Sequence, residues 1–218
     1  MPVIRDDGSK TAAPGRVGDV DEYEDFLVTA HLLQHPRLAR IYVYICYAGS
    51  TTIEDVVDAL DLKRATTYED IDELEAIDAV GRDETSRPHR IEASAFAYVD
   101  PDGIAITPTV LHAIALREID DDVEYIYNRY GPGTVAAAVH LAAAHYAGRL
   151  TRRMAASDLG LQPVEGMALL AALEPVIAAG SAFDPYFELV AGDAADDVTT
   201  NLDASIERFR ASVPSEDE

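Results

Sequence analysis

The chain is poor in cysteine and in long apolar runs, which argues against an internal disulfide bond and against a membrane span. Cys46 is the single cysteine among 218 residues, so an internal disulfide bond is excluded. It falls in an apolar stretch, where we interpret it as a small buried hydrophobic residue; a redox-sensing thiol is the alternative. No run of about 18 apolar residues is present, so the sequence predicts no membrane span. The first residues, MPVIRDDGSKTAAPGRVGD, lack the apolar centre of a signal peptide. Together these absences predict a cytoplasmic protein.

Positive charge is scarce as well. Lysine and arginine number 17 against 40 aspartates and glutamates, which gives a net charge of −23, and tryptophan is absent. This balance resembles that of proteins from halophilic archaea that accumulate salt. Dense carboxylates keep such surfaces hydrated where molar salt shortens the Debye length to about 3 Å. Basic residues nevertheless concentrate in one region, at Lys63, Arg64, Arg82, Arg87 and Arg90.

That region begins with two short helical patterns, at residues 51–80, joined by a tight break. Thr51 is expected to cap the first helix, with Glu54 completing a capping box. The second pattern repeats apolar residues every three positions, at Tyr68, Ile71, Leu74 and Ile77. Off that stripe, the start of the second helix carries Lys63, Arg64, Thr66 and Thr67. Two crossed helices, the second with a basic and hydroxyl-rich start, are typical of a helix-turn-helix that enters the major groove.

The residues around this pair predict the rest of a DNA-binding domain. Gly81 is expected to end the second helix, and residues 82–90 form a charged loop or wing. Residues 89–99 are predicted to form a strand with alternating apolar residues, Asp100–Gly103 a turn, and residues 104–107 a return strand. An upstream helix presents apolar residues at Leu38, Ile41, Tyr42, Ile45 and Cys46. Three helices followed by a β-hairpin indicate a winged helix.

At these residues the chain resembles archaeal winged-helix transcriptional regulators of the TrmB, ArsR and MarR type. The strings LDLKRATTYEDIDELEAIDAVG and IAITPTVLHAIA carry the resemblance, which covers residues 35–110. It implies a dimeric regulator that binds double-stranded DNA. The chain departs from the pattern because its recognition helix is unusually acidic, at Glu69, Asp70, Asp72, Glu73, Glu75 and Asp78. A winged helix that binds another protein, without touching DNA, is therefore the alternative.

The DNA-binding hypothesis gives each basic or hydroxyl residue a role. Lys63 binds backbone phosphate, while Arg64, Thr66 and Thr67 touch base edges or phosphates. Tyr68 belongs mainly to the apolar stripe, although its hydroxyl could reach a phosphate. Asp70 accepts from a cytosine amino group or orients Arg64. The remaining candidates lie in or beside the wing, where they follow the backbone or the minor groove: Arg82, Arg87, His89 and Arg90. For His89, an exposed bystander is the equal alternative.

The second half is predicted to be helical, near residues 108–118, 121–130, 133–147, 151–159 and 163–179. Its last two helices align without gaps on the first helix-turn-helix at an offset of 99, with Gly180 on Gly81. The apolar stripe is kept, but the basic start of the second helix is lost. Three interpretations stay open: a degenerate repeat for packing or dimerisation, a second DNA-contacting unit using Arg149, Arg152 and Arg153, or a small-molecule pocket. The alanine-rich segment 134–147 suits a subunit interface or a buried central helix.

These patterns predict a mainly α protein with a small β-hairpin: an N-terminal winged helix followed by a helical domain with a degenerate second helix-turn-helix. The expected divisions are a disordered arm (1–20), the winged-helix domain (21–107), the helical domain (108–190) and an acidic amphipathic tail (191–218). In the tail, a helix is expected over residues 195–212. A homodimer is the expected assembly.

Catalytic and cofactor motifs are missing from the sequence. Gly131–Thr134 lacks the preceding strand and the lysine of a phosphate-binding loop, and no nucleophile has a base at a recognisable spacing. His31 and His35 lie four residues apart on a predicted helix, which suits two metal ligands, but the sequence indicates no third ligand. We therefore expect no enzyme, no metal and no cofactor, and a small-molecule effector is possible without being indicated.

Overall fold

The computed structural model describes residues 20–83, 85–99 and 104–192, and over these it is mainly helical with a small antiparallel sheet. This architecture confirms the fold class predicted at that level. Three predicted features fall outside the described residues. They are the disordered arm up to the start of the first helix, the turn at residues 100–103, and the amphipathic helix of the tail.

The described part of the chain begins with two consecutive helices, the second of which contributes to the core. Helix α1 spans Val20–Gln34 and α2 spans Pro36–Ala48, with Pro36 in the first turn, where its missing N–H costs nothing. As predicted, α2 buries an apolar face, which includes Leu38, Ile41, Tyr42 and Ile45. Cys46 differs, since it is only partly buried.

The crossed pair consists of α3, Ile53–Leu60, and α4, Arg64–Ala76. The predicted cap of α3 is wrong by one residue. Thr52 is the N-cap, its hydroxyl accepts from the N–H of Asp55 at 3.2 Å, and Asp55 Oδ2 accepts from the N–H of Thr52 at 3.2 Å. Thr51 is not available as the cap because it belongs to strand β1, Ser50–Thr51, where it pairs with Ile91.

The predicted end of the second helix is also wrong. Helix α4 stops at Ala76, and Asp78 takes the left-handed conformation with φ of 58°. The chain then turns directly into strand β2, Val80–Asp83, where Gly81 lies opposite Glu92. An aspartate thus supplies the reversal that the sequence pattern assigned to glycine, which is compatible with the tolerance of aspartate for this conformation.

Strand β3, Arg90–Ala93, is the central strand of a three-stranded antiparallel sheet with the order β1-β3-β2. The strand predicted over residues 89–99 is therefore too long. Phe96 leaves the sheet to stack on Tyr42 at 5.3 Å between ring centroids, and the Tyr42 hydroxyl donates to the Ser94 carbonyl at 2.9 Å. Strand β4, Tyr98–Val99, then pairs with β5, Ala105–Ile106, which confirms the short return strand.

Within residues 104–192 the structure describes six α-helices after β5, and five of them lie where the sequence predicted them. Their bounds are α5 Pro108–Ala115 with a 3₁₀ turn at Leu116–Glu118, α6 Asp121–Tyr130, α7 Pro132–Tyr146, α8 Arg152–Asp158, α9 Pro163–Phe183 and α10 Phe187–Ala191. The expectation that Gly180 ends a helix is wrong, since α9 continues through it. A Cβ on Gly180 would lie 2.3 Å from Thr109 Oγ1, so this glycine permits close packing of α9 on α5.

Helix α7 is the centre of the second half. Ten consecutive residues, 135–144, are buried, so of the two interpretations of this alanine-rich segment the buried central helix holds. The core is continuous from Leu32 to Val190. Asp184 contributes to this continuity, because its carboxylate accepts from the Thr107 hydroxyl at 2.8 Å and from the Thr109 N–H at 2.9 Å. The division at residues 107 and 108 stays a prediction.

Helix α9 is long and apolar enough to cross a membrane by length and composition alone. Glu165 and Glu174 interrupt its apolar sequence, so the expectation that the chain lacks an uninterrupted run of about 18 apolar residues is not contradicted. The helix nevertheless buries Leu169, Leu173 and Ile177 in the shared core and packs against α5, α6, α7 and α8. This is the packing of a core helix.

Candidate nucleic-acid interface

The first backbone N–H groups of α4 lack the side-chain hydrogen bonds that cap the start of α3. Lys63 is the N-cap, and its side chain makes no hydrogen bond to the first turn. No acidic residue lies in that turn either, whereas α3 has a complete capping box with two acids. The first N–H groups of a helix have no partner within the helix and carry partial positive charge. The start of α4 is therefore suited to receive an anion.

The Lys63 side chain is exposed, and it pairs with no carboxylate in the part of the chain that the structure describes. Its carbonyl accepts from both the N–H and the hydroxyl of Thr67, each at 3.0 Å. Those bonds fix the first turn and leave the ammonium group to solvent. The predicted position of Lys63 at the tip of the helix is confirmed, while its contact with phosphate stays a prediction.

The Arg64 side chain is exposed, but its guanidinium is already paired with a carboxylate. Its Nη2 donates to Glu54 Oε1 at 2.6 Å, and its guanidinium lies 5.8 Å from the ring centre of Tyr68. The Tyr68 hydroxyl donates to the same glutamate oxygen at 3.1 Å. The pKa of Glu54 is lowered, first by the backbone N–H that it accepts and then by Tyr68 and Arg64. The basic start of α4 is thus partly neutralised by an ionised carboxylate of α3.

Three residues of α4 are placed differently from the prediction. Thr67 is fully buried, so it cannot contact DNA. Asp70 is nearly buried and accepts from Arg37 Nε at 2.7 Å, so it neither orients Arg64 nor faces a base. Tyr68 is exposed rather than part of the core stripe. The buried face of α4 consists of Thr67, Asp70, Ile71 and Leu74, and Thr66, half-buried, keeps the position predicted for a contact.

Arg82 is a poor candidate for a DNA contact, because two carboxylates already bind its guanidinium. It lies on β2, and its Nη2 is 2.9 Å from Asp72 Oδ1 and 2.7 Å from Glu75 Oε2. Both carboxylates belong to α4, so Arg82 connects the helix to the sheet. A guanidinium held by two carboxylates has a structural role here and offers little charge to a phosphate.

The other basic residues predicted to contact DNA lie in the loop between β2 and β3 or at its end, and their side chains are exposed. Arg87 and His89 are exposed, and neither has a hydrogen bond or ion pair within the described residues. Arg90 is exposed as well, and it donates from Nε to the Ser50 hydroxyl and from Nη2 to the Ser50 carbonyl, each at 2.7 Å. Those bonds orient Arg90 beside the start of α3 without neutralising it.

The overall charge of this region is negative. Residues 50–93 contain thirteen aspartates and glutamates against five lysines and arginines. Lys63, Arg87 and Arg90 are the cations of this segment with no carboxylate bound to them among the described residues. The cations that remain without a bound carboxylate are therefore few, and they lie at the tip of α4, in the loop before β3 and at the start of β3.

The second helix pair, α8 and α9, repeats the packing of the first pair without its basic tip. Met167 and Tyr68, which occupy equivalent positions, are both exposed, and Leu170 and Ile71 are both buried. Arg152 pairs with Glu174, and Arg149 donates to the Ala191 carbonyl. The first turn of α9 instead presents Glu165, which accepts from the hydroxyls of Tyr125 and Tyr130 at 3.0 and 2.8 Å. These contacts favour the packing interpretation over a second DNA-contacting unit.

Two hollows bear on the alternative of a small-molecule pocket. The larger, about 500 Å³, lies between α7 and α9, and it is lined mostly by apolar side chains together with His145 and Glu174. The smaller, about 220 Å³, lies between α1, β4 and α7 and contains the buried Thr29 hydroxyl, which has no hydrogen-bond partner among the described residues. Both open to solvent, and their polar groups do not define a ligand.

One group of possible metal ligands was missed at the sequence level. His31 and His35 meet Glu73 of α4, and one ligand atom from each lies within 4.8 Å of the others. His35 is the N-cap of α2 rather than a residue of the same helix as His31. The spacing of the two histidines was a signal for this group, but the third member lies 42 residues from His31 in the sequence.

Comparison with known proteins gives one match. A family model described as a family of unknown function (DUF7437) matches residues 117–182, which is under a third of the chain. The matched segment begins in the 3₁₀ turn, ends within α9, and does not include α3, α4 or the strands. No curated protein and no solved structure matches the chain.

Proposed function

We propose that the chain is a winged-helix, DNA-binding transcriptional regulator of a halophilic archaeon, working as a homodimer in the cytoplasm. The chain has the order α2, β1, α3, α4, β2, β3, with β3 central in the sheet, which is compatible with a winged helix. In this proposal α4 enters the major groove and the loop before β3 is the wing. The element order supports the fold part of the proposal, and the electrostatics of the α4 tip support the function.

The observation that carries the proposal is the uncapped start of α4. A helix N-terminus with free N–H groups binds phosphate readily, and here it is joined by the exposed ammonium of Lys63. On the neighbouring loop, Arg87 and His89 project free side chains. Phosphate contacts of this kind position a protein on the duplex, and base contacts then provide sequence specificity. Thr66 and Arg64 are the residues of the first turn that could reach base edges.

The acidic surroundings weaken this site without excluding it. The Arg64–Glu54 pair is exposed, with 67% of the arginine side chain and 47% of the glutamate side chain accessible. Exposed ion pairs contribute about 0–1 kcal/mol, so a phosphate can replace the glutamate. At molar salt the repulsion between the acidic surface and DNA acts over only about 3 Å. Short-range contacts at the α4 tip would then determine affinity.

The test begins with selection of a preferred DNA sequence by the full chain in molar KCl. Affinity for that sequence is then measured by fluorescence anisotropy for the wild type and for Lys63→Ala and Arg87→Ala. Each variant should bind about tenfold more weakly, with little change in sequence preference, as expected for a phosphate contact. Arg129→Ala is the matched control, because Arg129 is an exposed arginine on α6 and belongs to neither of the possible DNA-contacting units; it should bind like the wild type.

Three results would contradict the proposal: no sequence is enriched, Lys63→Ala and Arg87→Ala bind as tightly as the wild type, or Arg129→Ala weakens binding as much as they do. Thermal melts followed by circular dichroism establish that each variant is folded.

A second candidate function is a protein-interaction module. It is favoured by the pairing of Arg64 and Arg82 with carboxylates and by the exposed acids of α4, among them Glu69 and Glu73. Such a surface would suit a basic protein partner. Crosslinking in cells separates the two functions, since DNA fragments should co-purify with a regulator, whereas an adaptor should co-purify with protein alone.

A further inference from the structure

A cluster of two imidazoles and one carboxylate lies at the junction of α1, α2 and α4. His31 lies in the last turn of α1, His35 is the N-cap of α2, and Glu73 is on α4. One potential ligand atom from each lies within 4.8 Å of the others, and all three side chains reach solvent. We propose that His31, His35 and Glu73 bind a divalent transition-metal ion of the zinc class, with water completing its coordination. This inference is independent of DNA binding.

The geometry is close to what such an ion requires. His31 Nε2 lies 2.8 Å from Glu73 Oε1, and the two imidazole rings are 4.3 Å apart at their centroids. Zinc binds histidine nitrogen and carboxylate oxygen at about 2.0–2.2 Å in a tetrahedron, which places neighbouring ligand atoms roughly 3.3 Å apart. Small rotations of exposed side chains therefore bring the three groups to coordination distance, and the backbone does not need to move.

The hydrogen bonding of His35 prepares it for a metal. Its Nδ1 lies 2.9 Å from the carbonyl oxygen of His31, and a carbonyl can only accept. Nδ1 therefore carries the hydrogen, which leaves the lone pair of the neutral ring on Nε2. Histidines that bind metals usually donate their other ring N–H to a carbonyl or carboxylate in this way, and the bond fixes the ring orientation.

The chemistry of the three donors selects the class of ion. Imidazole nitrogen suits zinc and its neighbours in the first transition series, whereas magnesium and calcium prefer oxygen ligands alone. The other aspartates and glutamates of the chain offer oxygen alone, whereas this cluster combines two imidazoles with a carboxylate. When the ion binds, the hydrogen that His31 Nε2 donates to Glu73 would leave to solvent while Nδ1 takes one up, so the ring stays neutral and all three elements are bound at one point.

The experiment measures Zn²⁺ binding to the full, metal-free chain by calorimetry in KCl with a large excess of Mg²⁺, which occupies simple carboxylate sites. One equivalent of Zn²⁺ should bind. His35→Gln and Glu73→Gln should each lower the affinity at least about 100-fold, since even the loss of an outer-shell partner costs 10–100-fold. His89→Gln and Glu69→Gln are matched controls, because both residues are exposed and lie outside the cluster; they should bind like the wild type.

A second readout keeps the test independent of variant stability. In spectra of the chain labelled with ¹⁵N-histidine, Zn²⁺ should shift the Nε2 signals of His31 and His35 and leave His89 unchanged. Zn²⁺ should also raise the melting temperature of the wild type and of Glu69→Gln, but not that of Glu73→Gln. The proposal is overturned if the wild type binds no equivalent of Zn²⁺ under Mg²⁺, or if Glu73→Gln gains as much thermal stability from Zn²⁺ as the wild type.

Discussion

Arg64 donates from Nη2 to Glu54 Oε1 at 2.6 Å, which joins the first residue of α4 to the first turn of α3. The same glutamate oxygen accepts from the Tyr68 hydroxyl at 3.1 Å. In the proposed complex with DNA, Glu54 competes with a phosphate for the guanidinium. The pair would therefore set how much of the positive charge at the start of α4 is available.

Replacing Glu54 with glutamine should strengthen DNA binding. The change removes the charge that holds Arg64, and because exposed ion pairs are weak, affinity should rise only about two- to fivefold. Anisotropy titrations with the selected DNA sequence in molar KCl provide the measurement. Glu124→Gln is the control, because Glu124 is exposed on α6 and its loss removes the same charge far from α4. Equal affinities for the two variants would show that Glu54 does not restrain Arg64.

Gly180→Ala should destabilise the fold, whereas Gly81→Ala should not, although the two glycines occupy equivalent positions in the aligned helix pairs. A Cβ at Gly180 would come within 2.3 to 3.1 Å of three side-chain atoms of buried Thr109, while a Cβ at Gly81 would meet nothing within 4 Å. Overpacking of this kind costs about 1–3 kcal/mol. It would also displace the Thr109 hydroxyl from Asp184, to which it donates at 2.5 Å.

Urea unfolding at fixed KCl measures both variants. Gly81→Ala should stay within about 0.5 kcal/mol of the wild type. Equal stabilities for Gly180→Ala and the wild type would mean that α9 shifts away from α5 at little cost.

Local patterns predicted the helices well, because the spacing of apolar residues and the position of glycine and proline are local properties. The details at the helix ends were harder to predict. Two adjacent threonines could each cap α3, and only the pairing of Thr51 with Ile91 decides for Thr52. That pairing joins residues 40 positions apart, so the capping residue depends on the tertiary structure.

Tyr68 is exposed, although it belongs to the three-residue apolar repeat, because a spacing of three does not match the period of an α-helix. Successive residues of an α-helix turn by about 100°, so three residues fall about 60° short of a full turn. Over the six residues from Tyr68 to Leu74 the deviation reaches about 120°, so the two side chains point in clearly different directions from α4. Ile71 and Leu74 are the members of the stripe that are fully buried, and Tyr68 is exposed.

Most of the electrostatics could not be predicted from the sequence, because the partners come from distant elements. Arg37 and Asp70 are 33 residues apart, and His31 and Glu73 are 42 apart. In a chain with forty acidic residues, each arginine has many possible carboxylate partners. The sequence identified where the cations concentrate, but only the arrangement of the helices determines which of them are neutralised.

His112 should make the stability of the protein depend on pH. Burial, followed by the charge of Arg40, lowers the pKa of His112 to about 4 from an ordinary value of 6.5. The unfolded chain therefore binds a proton at this residue between pH 6.5 and 4 while the folded chain does not. Stability from this residue is present above pH 6.5 and is lost as the pH falls, by about 2 kcal/mol on reaching pH 5.

His112→Phe removes this dependence and keeps an aromatic ring beside Tyr47, which lies 5.7 Å from the histidine ring. Urea unfolding at pH 7 and pH 5 should show that the wild type loses about 2 kcal/mol more than the variant. The exposed His89 gives a control, since His89→Gln should lose as much as the wild type. A wild type and a His112→Phe variant that lose equal stability would show that His112 is protonated in the folded state.

Cys46 should react slowly with thiol reagents as long as the chain is folded. Burial, followed by the charge of Asp184, raises the pKa of its thiol to about 11, so little thiolate exists near neutral pH. The folded chain should react with iodoacetamide at pH 8 about tenfold or more slowly than the chain in urea, after allowing for the greater nucleophilicity of a more basic thiolate. Ser181→Cys in a Cys46→Ala background is the control, because Ser181 is exposed on α9 and should react equally fast in both states. Rapid reaction of Cys46 in the folded chain would restore the redox-sensing alternative, since a thiol that oxidants can address must form thiolate at an accessible position.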